Sequence, residues 1–300
     1  MPNRNKTRYE FGLTPVTKNN IPPLNILLEA ANALLASSVR WPPGKTYYDG
    51  MVQTFSHKEA SGPNWHGRLS YHPAEQGTFH EFWEVIGSRH CQAQEEFVPE
   101  LVSANHLEPF LDGDYNGWTY HYNYSPPVSP RTFTVLLATS LDDKPPRQAW
   151  AINIPFDVGD NEGLKALEER GVRGRFTSVD RLLEVDGKVE WMGAMMYQIG
   201  GSIPNFIPER GLPKQLAERV TQVIEYIAAR REGQSGRRPK LVSRSSSLSI
   251  VQRARRRSVQ ALTSMNAGTG ASGSAPTTPA STVNGDSAPS TSGARPSSTT

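Results

Sequence analysis

The chain has very little cysteine: Cys91 stands alone among 300 residues. A single thiol excludes an internal disulfide framework and any cysteine-rich zinc module. No apolar run approaches the roughly 18 residues of a membrane-spanning helix, and polar, basic Met1–Phe11 lacks the apolar stretch of a secretory signal. These absences predict a soluble intracellular, cytoplasmic protein. Aromatic residues are missing from 233–300, so all 26 fall in the first 232 positions. Acidic residues are also scarce there. After Gly233 nine Lys or Arg face Asp286 alone, giving +8, and since the whole chain is +3, residues 1–232 carry −5. The basic balance belongs to the tail, which argues against a basic nucleic-acid-binding fold.

From Asn266 to Thr300, 30 of 35 residues are Ser, Thr, Pro, Ala or Gly. Such composition offers too little apolar surface to offset the entropy of ordering. The expected organisation is a flexible segment over 1–20, one globular domain over 21–231, and a disordered tail over 232–300, basic at first and then Ser/Thr/Pro/Ala/Gly-rich.

Hydrophobic spacing predicts the elements. Leu24, Leu27, Leu28, Ala31, Leu34 and Leu35 form one helical face after Pro22-Pro23. Strands are expected over 45–56 and 65–71. Thr78 and Glu81 have capping-box spacing before a short helix over 79–86, and 90–105 reads as broken helix. From Trp118 the period becomes two over 118–124 and again over 150–156, with 132–139 an apolar β-prone run between them, and strands continue over 172–185 and 188–197 with Asp186-Gly187 as a hairpin turn. Leu212, Leu216, Val220, Val223, Ile224 and Ile227 mark a closing amphipathic helix. The order gives an α+β fold, an antiparallel sheet with helices on one face.

Two local motifs add detail. Ser129-Pro130-Arg131-Thr132-Phe133 opens a strand, and Gly200-Gly201-Ser202-Ile203-Pro204 leaves the last one. Paired glycines supply dihedrals closed to other residues, Pro204 stops the strand, and Arg131 offers a donor fork for nearby carbonyls. Pro130, Arg131, Phe133, Gly200, Gly201 and Pro204 are thus read as fold-specifying. The motifs, together with 172–179 and Trp191-Met192, resemble the StAR-related lipid-transfer (START) superfamily, in particular an uncharacterised fungal START-like family. The resemblance spans about residues 24–231. It implies a helix-grip fold, a curved antiparallel sheet wrapped around a long C-terminal helix, enclosing an apolar pocket.

The sequence carries no G-x-S-x-G elbow, no phosphate loop and no dinucleotide fingerprint. The seven histidines, all between His57 and His121, lack metal-ligand spacing, so no catalytic residue, metal or cofactor is expected. The positive signal is bulky alternation. Trp118, Tyr120, Tyr122, Trp150, Ile152, Ile154, Trp191 and Met195 are the candidate ligand-binding residues, with Arg175 for a lipid phosphate or carboxylate. The alternation leaves open which sheet face points inward. With the resemblance, these residues imply binding and transfer of a lipid or other apolar small molecule without chemistry. A helix-grip enzyme of cyclase or hydrolase type is the alternative, and a buried His, Asp or Glu in the pocket would favour it. The loops 141–147 and 157–171 are candidate lids.

The tail suggests a third class, an interaction module. Arg237–Arg257 holds eight basic residues and no acidic one, suited to peripheral contact with anionic membrane. Ser247 and Ser258 follow arginines at the spacing of basophilic-kinase substrates, so phosphorylation there is expected to release the tether or to recruit a phosphopeptide reader.

Overall fold

The computed structural model describes residues 8–107, 115–124, 128–168 and 170–234. The tail expectations, including Ser247 and Ser258, lie outside the described residues.

The order is a 3-10 turn (Lys18–Asn20), α1 (Leu24–Ser38), β1 (Pro43–Tyr47), β2 (Val52–His57), β3 (Trp65–His72), α2 (Phe79–Trp83), a π-helical turn (Glu84–Ser88) and α3 (His90–Phe97). Next come β4 (Leu101–His106), β5 (Tyr115–Tyr122), β6 (Arg131–Asp142), β7 (Gln148–Pro155), α4 (Glu162–Leu167), β8 (Val172–Arg173), β9 (Arg175–Val185) and β10 (Lys188–Gln198). Finally α5 (Phe206–Glu209) leads into α6 (Leu212–Gln234). One sheet runs β1-β2-β3-β10-β9-β7-β6-β5-β4, antiparallel along this path, with short β8 parallel to the start of β6.

The sheet is covered on both faces. On the inner face Phe82, Tyr120, Phe133, Val135, Leu182 and Trp191 pack with Ala217, Val220, Val223 and Ile227 of α6. On the outer face Trp65, Leu136, Trp150, Ile152, Ile154 and Met192 pack with Leu27, Ala31 and Leu35 of α1. Alternation on the central strands therefore separates two cores rather than a core from water.

Several expectations change. Residues 45–56 form a hairpin rather than one strand, because Tyr48, Asp49 and Gly50 all take positive φ (55, 54 and 88°) and turn the chain. The helix of 79–86 stops at Trp83 and widens, Arg89 N–H donating to Glu84 O at 2.9 Å. Residues 90–105 are half helix and half strand. Residues 8–20 make contacts with the domain. Val16 bridges Phe156, Thr177 Oγ1 donates to Gly12 O at 2.5 Å, and Tyr9, Phe11 and Leu13 pack on the outer core. That segment buries its own apolar side chains, which composition alone did not reveal.

The glycine pair is used at the exit from β10. Gly200 and Gly201 have φ of 72 and 70°, and a Cβ on Gly200 would lie 2.1 Å from Arg173 O. Arg131 ties this corner together: Nε donates to Ile199 O at 3.1 Å and Nη1 to Ser129 O at 2.5 Å. Phe133 stacks on Tyr197 beside it (centroids 5.7 Å apart), and Pro204 O caps the following turn by accepting from Ile207 N–H at 3.0 Å.

Candidate functional site

A cavity of about 200 Å³ lies between the inner face of the sheet and the N-terminal half of α6. Its apolar wall includes Phe133 of β6, Phe176 of β9, Met195 and Tyr197 of β10, and Leu216 of α6. The π turn contributes Val85 and Ile86. Tyr122 and Tyr124 stack in parallel at one end, 6.1 Å apart.

Other lining residues are polar. Arg68 of β3 is buried; its Nη2 donates to Asp180 Oδ1 of β9 at 2.7 Å. The guanidinium carbon sits 3.8 Å from the Trp191 ring centre, and Trp191 Nε1–H donates to the same Asp180 oxygen at 2.9 Å. Between the two charged residues the sheet register places Gly193. A Cβ there would meet Asp180 Oδ1 at 2.6 Å and Arg68 Nη2 at 3.4 Å, so the pair closes only over a glycine. Asn153 donates to Ser178 Oγ at 3.1 Å, and Arg219 reaches in from α6, its guanidinium 5.4 Å from the Phe97 ring.

Burial lowers the pKa of Arg68 and of His90. His90 is also fully engaged, with Nδ1 bonded to Ile86 O at 2.7 Å and Nε2 to the Gln94 amide nitrogen at 2.6 Å. That pattern fixes a neutral ring donating through Nδ1 and accepting at Nε2. Cys91 shares a hydrogen bond with Tyr120 OH at 3.0 Å, and burial pushes its thiol up to about 12. A thiol held protonated is no nucleophile. No group of three or more His, Cys, Asp or Glu converges among the described residues.

Of the candidate ligand-binding residues, Tyr122, Trp191 and Met195 line this cavity. Tyr120 and Trp118 share the inner face but pack elsewhere, Tyr120 on Cys91 and Trp118 on the His106 ring at 4.5 Å. Trp150, Ile152 and Ile154 do not belong to the wall. The β7 register turns them to the outer core under α1 and gives the inner face to Ala149, Ala151 and Asn153. Arg175 is likewise displaced: it is exposed, and the neighbours Phe176 and Ser178 show that its parity on β9 is outward. The polar wall of Arg68, His90, Asn153, Asp180 and Arg219 escaped the sequence reading. The only available signal was negative, a β3 whose alternate positions His66, Arg68, Ser70 and His72 resemble a solvent face but are buried.

A family described as "Protein of unknown function (DUF3074)" matches residues 65–227. An uncharacterised protein of Schizosaccharomyces pombe is 23% identical over 186 residues, covering 60% of this chain and 74% of its own. Among solved structures, human STARD10 superposes with a TM-score of 0.56 at 10% identity, covering 72% of this chain and 84% of its own. Human StAR-related lipid transfer protein 5 gives 0.56 at 12% identity, covering 70% and 98%. The architecture is thus the START helix-grip fold.

Proposed function

The chain belongs to the DUF3074 family, and with its START fold as premise we propose that it binds and carries, unchanged, a lipid or similarly apolar small molecule in the cavity beneath α6. The observation that carries this reading is the cavity itself, walled by Phe133, Phe176, Tyr197, Met195 and Leu216 where a solid core would otherwise form. At about 200 Å³ it is smaller than the roughly 300–1,000 Å³ of most ligand pockets. A two-chain lipid therefore requires α6 to move away from the sheet.

The cavity does hold a half-buried histidine and aspartate, His90 and Asp180, the groups that chemistry would use. Their engagement supports carriage. Both nitrogens of His90 are bonded, and Asp180 Oδ1 already accepts from Arg68 and Trp191. Native mass spectrometry of the purified full chain tests the proposal. A co-purifying small molecule, or one taken up intact from liposomes, is the expected result; no bound species in either experiment would sink it.

The basic run Arg237–Arg257 supports a second role, a reversible tether to anionic membrane. Its eight positive charges are each worth about 1 kcal/mol near such a surface. Two phosphates, at Ser247 and Ser258, would cancel roughly three to four charges. Among the described residues no helix is long and apolar enough to cross a membrane, so any association of this part is peripheral. Truncation after residue 232 should abolish sedimentation with phosphatidylserine liposomes, and Ser247→Glu/Ser258→Glu should weaken it. Unchanged binding after truncation would refute the tether.

A further inference from the structure

Three buried polar atoms in the cavity's residues have no hydrogen-bond partner: Arg68 Nη1, Asn153 Oδ1 and Arg219 Nη1. An unpaired buried polar group costs about 1–3 kcal/mol, more when charged, and native proteins keep few of them. Here three gather around one space. Arg68 and Asn153 are 3% and 1% exposed, so bulk solvent does not reach them.

The charge count points to what fits. Among the cavity's lining residues two arginines face one aspartate, leaving one positive charge, because His90 is neutral. Asp180 already offsets Arg68. Arg219 has the Phe97 ring beside it and no carboxylate partner among the described residues. Both unpaired guanidinium nitrogens are donors only, so they call for an acceptor, best a charged one. The sheet register sets Arg68 and Asp180 on either side of Gly193, and places Asn153 of β7 opposite Ser178, one inward step from Asp180 along β9. Arg219 faces them from α6.

We infer that the ligand carries one negative charge on a compact head, a carboxylate or a phosphate diester, held by the free N–H groups of Arg68 and Arg219 while its apolar part lies against Phe133, Phe176 and Tyr197. The inference rests on the carrier reading and narrows it. A second negative charge on the head meets repulsion from Asp180, and a cationic head meets Arg219. The head also joins α6 to the sheet, since its two arginines come from different layers.

Calorimetric titration of the full chain with decanoate, the diester methyl decyl phosphate, decanol and decyltrimethylammonium tests this. At least one acid should bind about tenfold or more tightly than decanol, the worth of one charge-assisted hydrogen bond, and the ammonium should bind worst. The preferred acid distinguishes carboxylate from phosphate. Arg219→Met should reduce acid binding about fivefold or more and leave decanol within about twofold. If that variant misfolds by circular dichroism, the four-probe ranking on the unaltered chain still decides. Decanol binding as tightly as both acids, or an unchanged acid-to-alcohol ratio in folded Arg219→Met, overturns the anion assignment and leaves an apolar carrier. Failure of all four probes removes the carrier reading as well.

Discussion

Gly193 decides how charge is stored in the inner wall. Because it lacks a Cβ, Arg68 and Asp180 close over Trp191 from two strands that are not neighbours. Gly193→Ala forces a methyl to within 2.6 Å of the Asp180 carboxylate, and side-chain movement must break the pair or lift it off the indole. Overpacking of this kind costs about 1–3 kcal/mol, so urea unfolding should show a loss of that size. A neutral result would mean the pair rebuilds elsewhere. This residue was not legible in the sequence. Glycine inside a β-prone run signals a bulge or a close approach, but its partners sit more than a hundred residues away on β3 and nearby on β9, and only the register brings them to it. Arg175 has equally suitable chemistry, but one step of strand parity points it away from the cavity.

At the scale of elements, α6 is held unevenly. Its C-terminal end is clasped: Arg230 donates to Glu84 at 2.7 Å, Tyr226 OH to Glu96 at 3.0 Å, and Arg231 Nε to Glu81 at 2.6 Å, with a further Arg231 bond to Glu75 O at 2.8 Å. Its N-terminal half covers the cavity, and there Leu212, Gln215 and Leu216 face the open space. Hydrogen bonds from Arg231 hold the Glu81 carboxyl down at about 2, against an ordinary 4.5. A depressed folded-state pKa stabilises above the unfolded value and is lost as pH falls through the folded one. Glu81→Gln should therefore unfold at a lower temperature at neutral pH, by no more than about 1 kcal/mol for a partly exposed pair. The difference from the unaltered chain should shrink between about pH 4.5 and 2. Glutamine keeps the capping-box geometry with Thr78, so the comparison isolates the charge. A gap that persists at pH 2 would assign the effect to packing.

Across the whole molecule, the order of elements was readable because α6 has a clean apolar stripe and most strands after residue 118 are β-prone; the helix grip itself followed from the family resemblance. Faces were not readable, because the sheet is covered twice. Where both sides are buried, Trp150 and Trp191 look equivalent in sequence, yet they fill different cores. The N-terminal segment escaped for a related reason: Tyr9, Phe11 and Val16 are too few to mark an element, but they complete the outer core.

The double covering also sets a gradient in how amides meet solvent. Strands β7, β9 and β10 have neighbours on each edge and packed layers on each face. Their amides should exchange with deuterium only through global unfolding and be the slowest in the chain. Along α6 the pattern should be graded: peptides from 212–219 exchange faster than those from 223–231, where the ion pairs grip. Mass-detected exchange reads this directly, and equal protection from end to end would mean that the helix leaves the sheet as one rigid body. A graded helix makes local opening over the cavity far cheaper than unfolding the sheet, so cargo could exchange many times within the lifetime of one folded molecule.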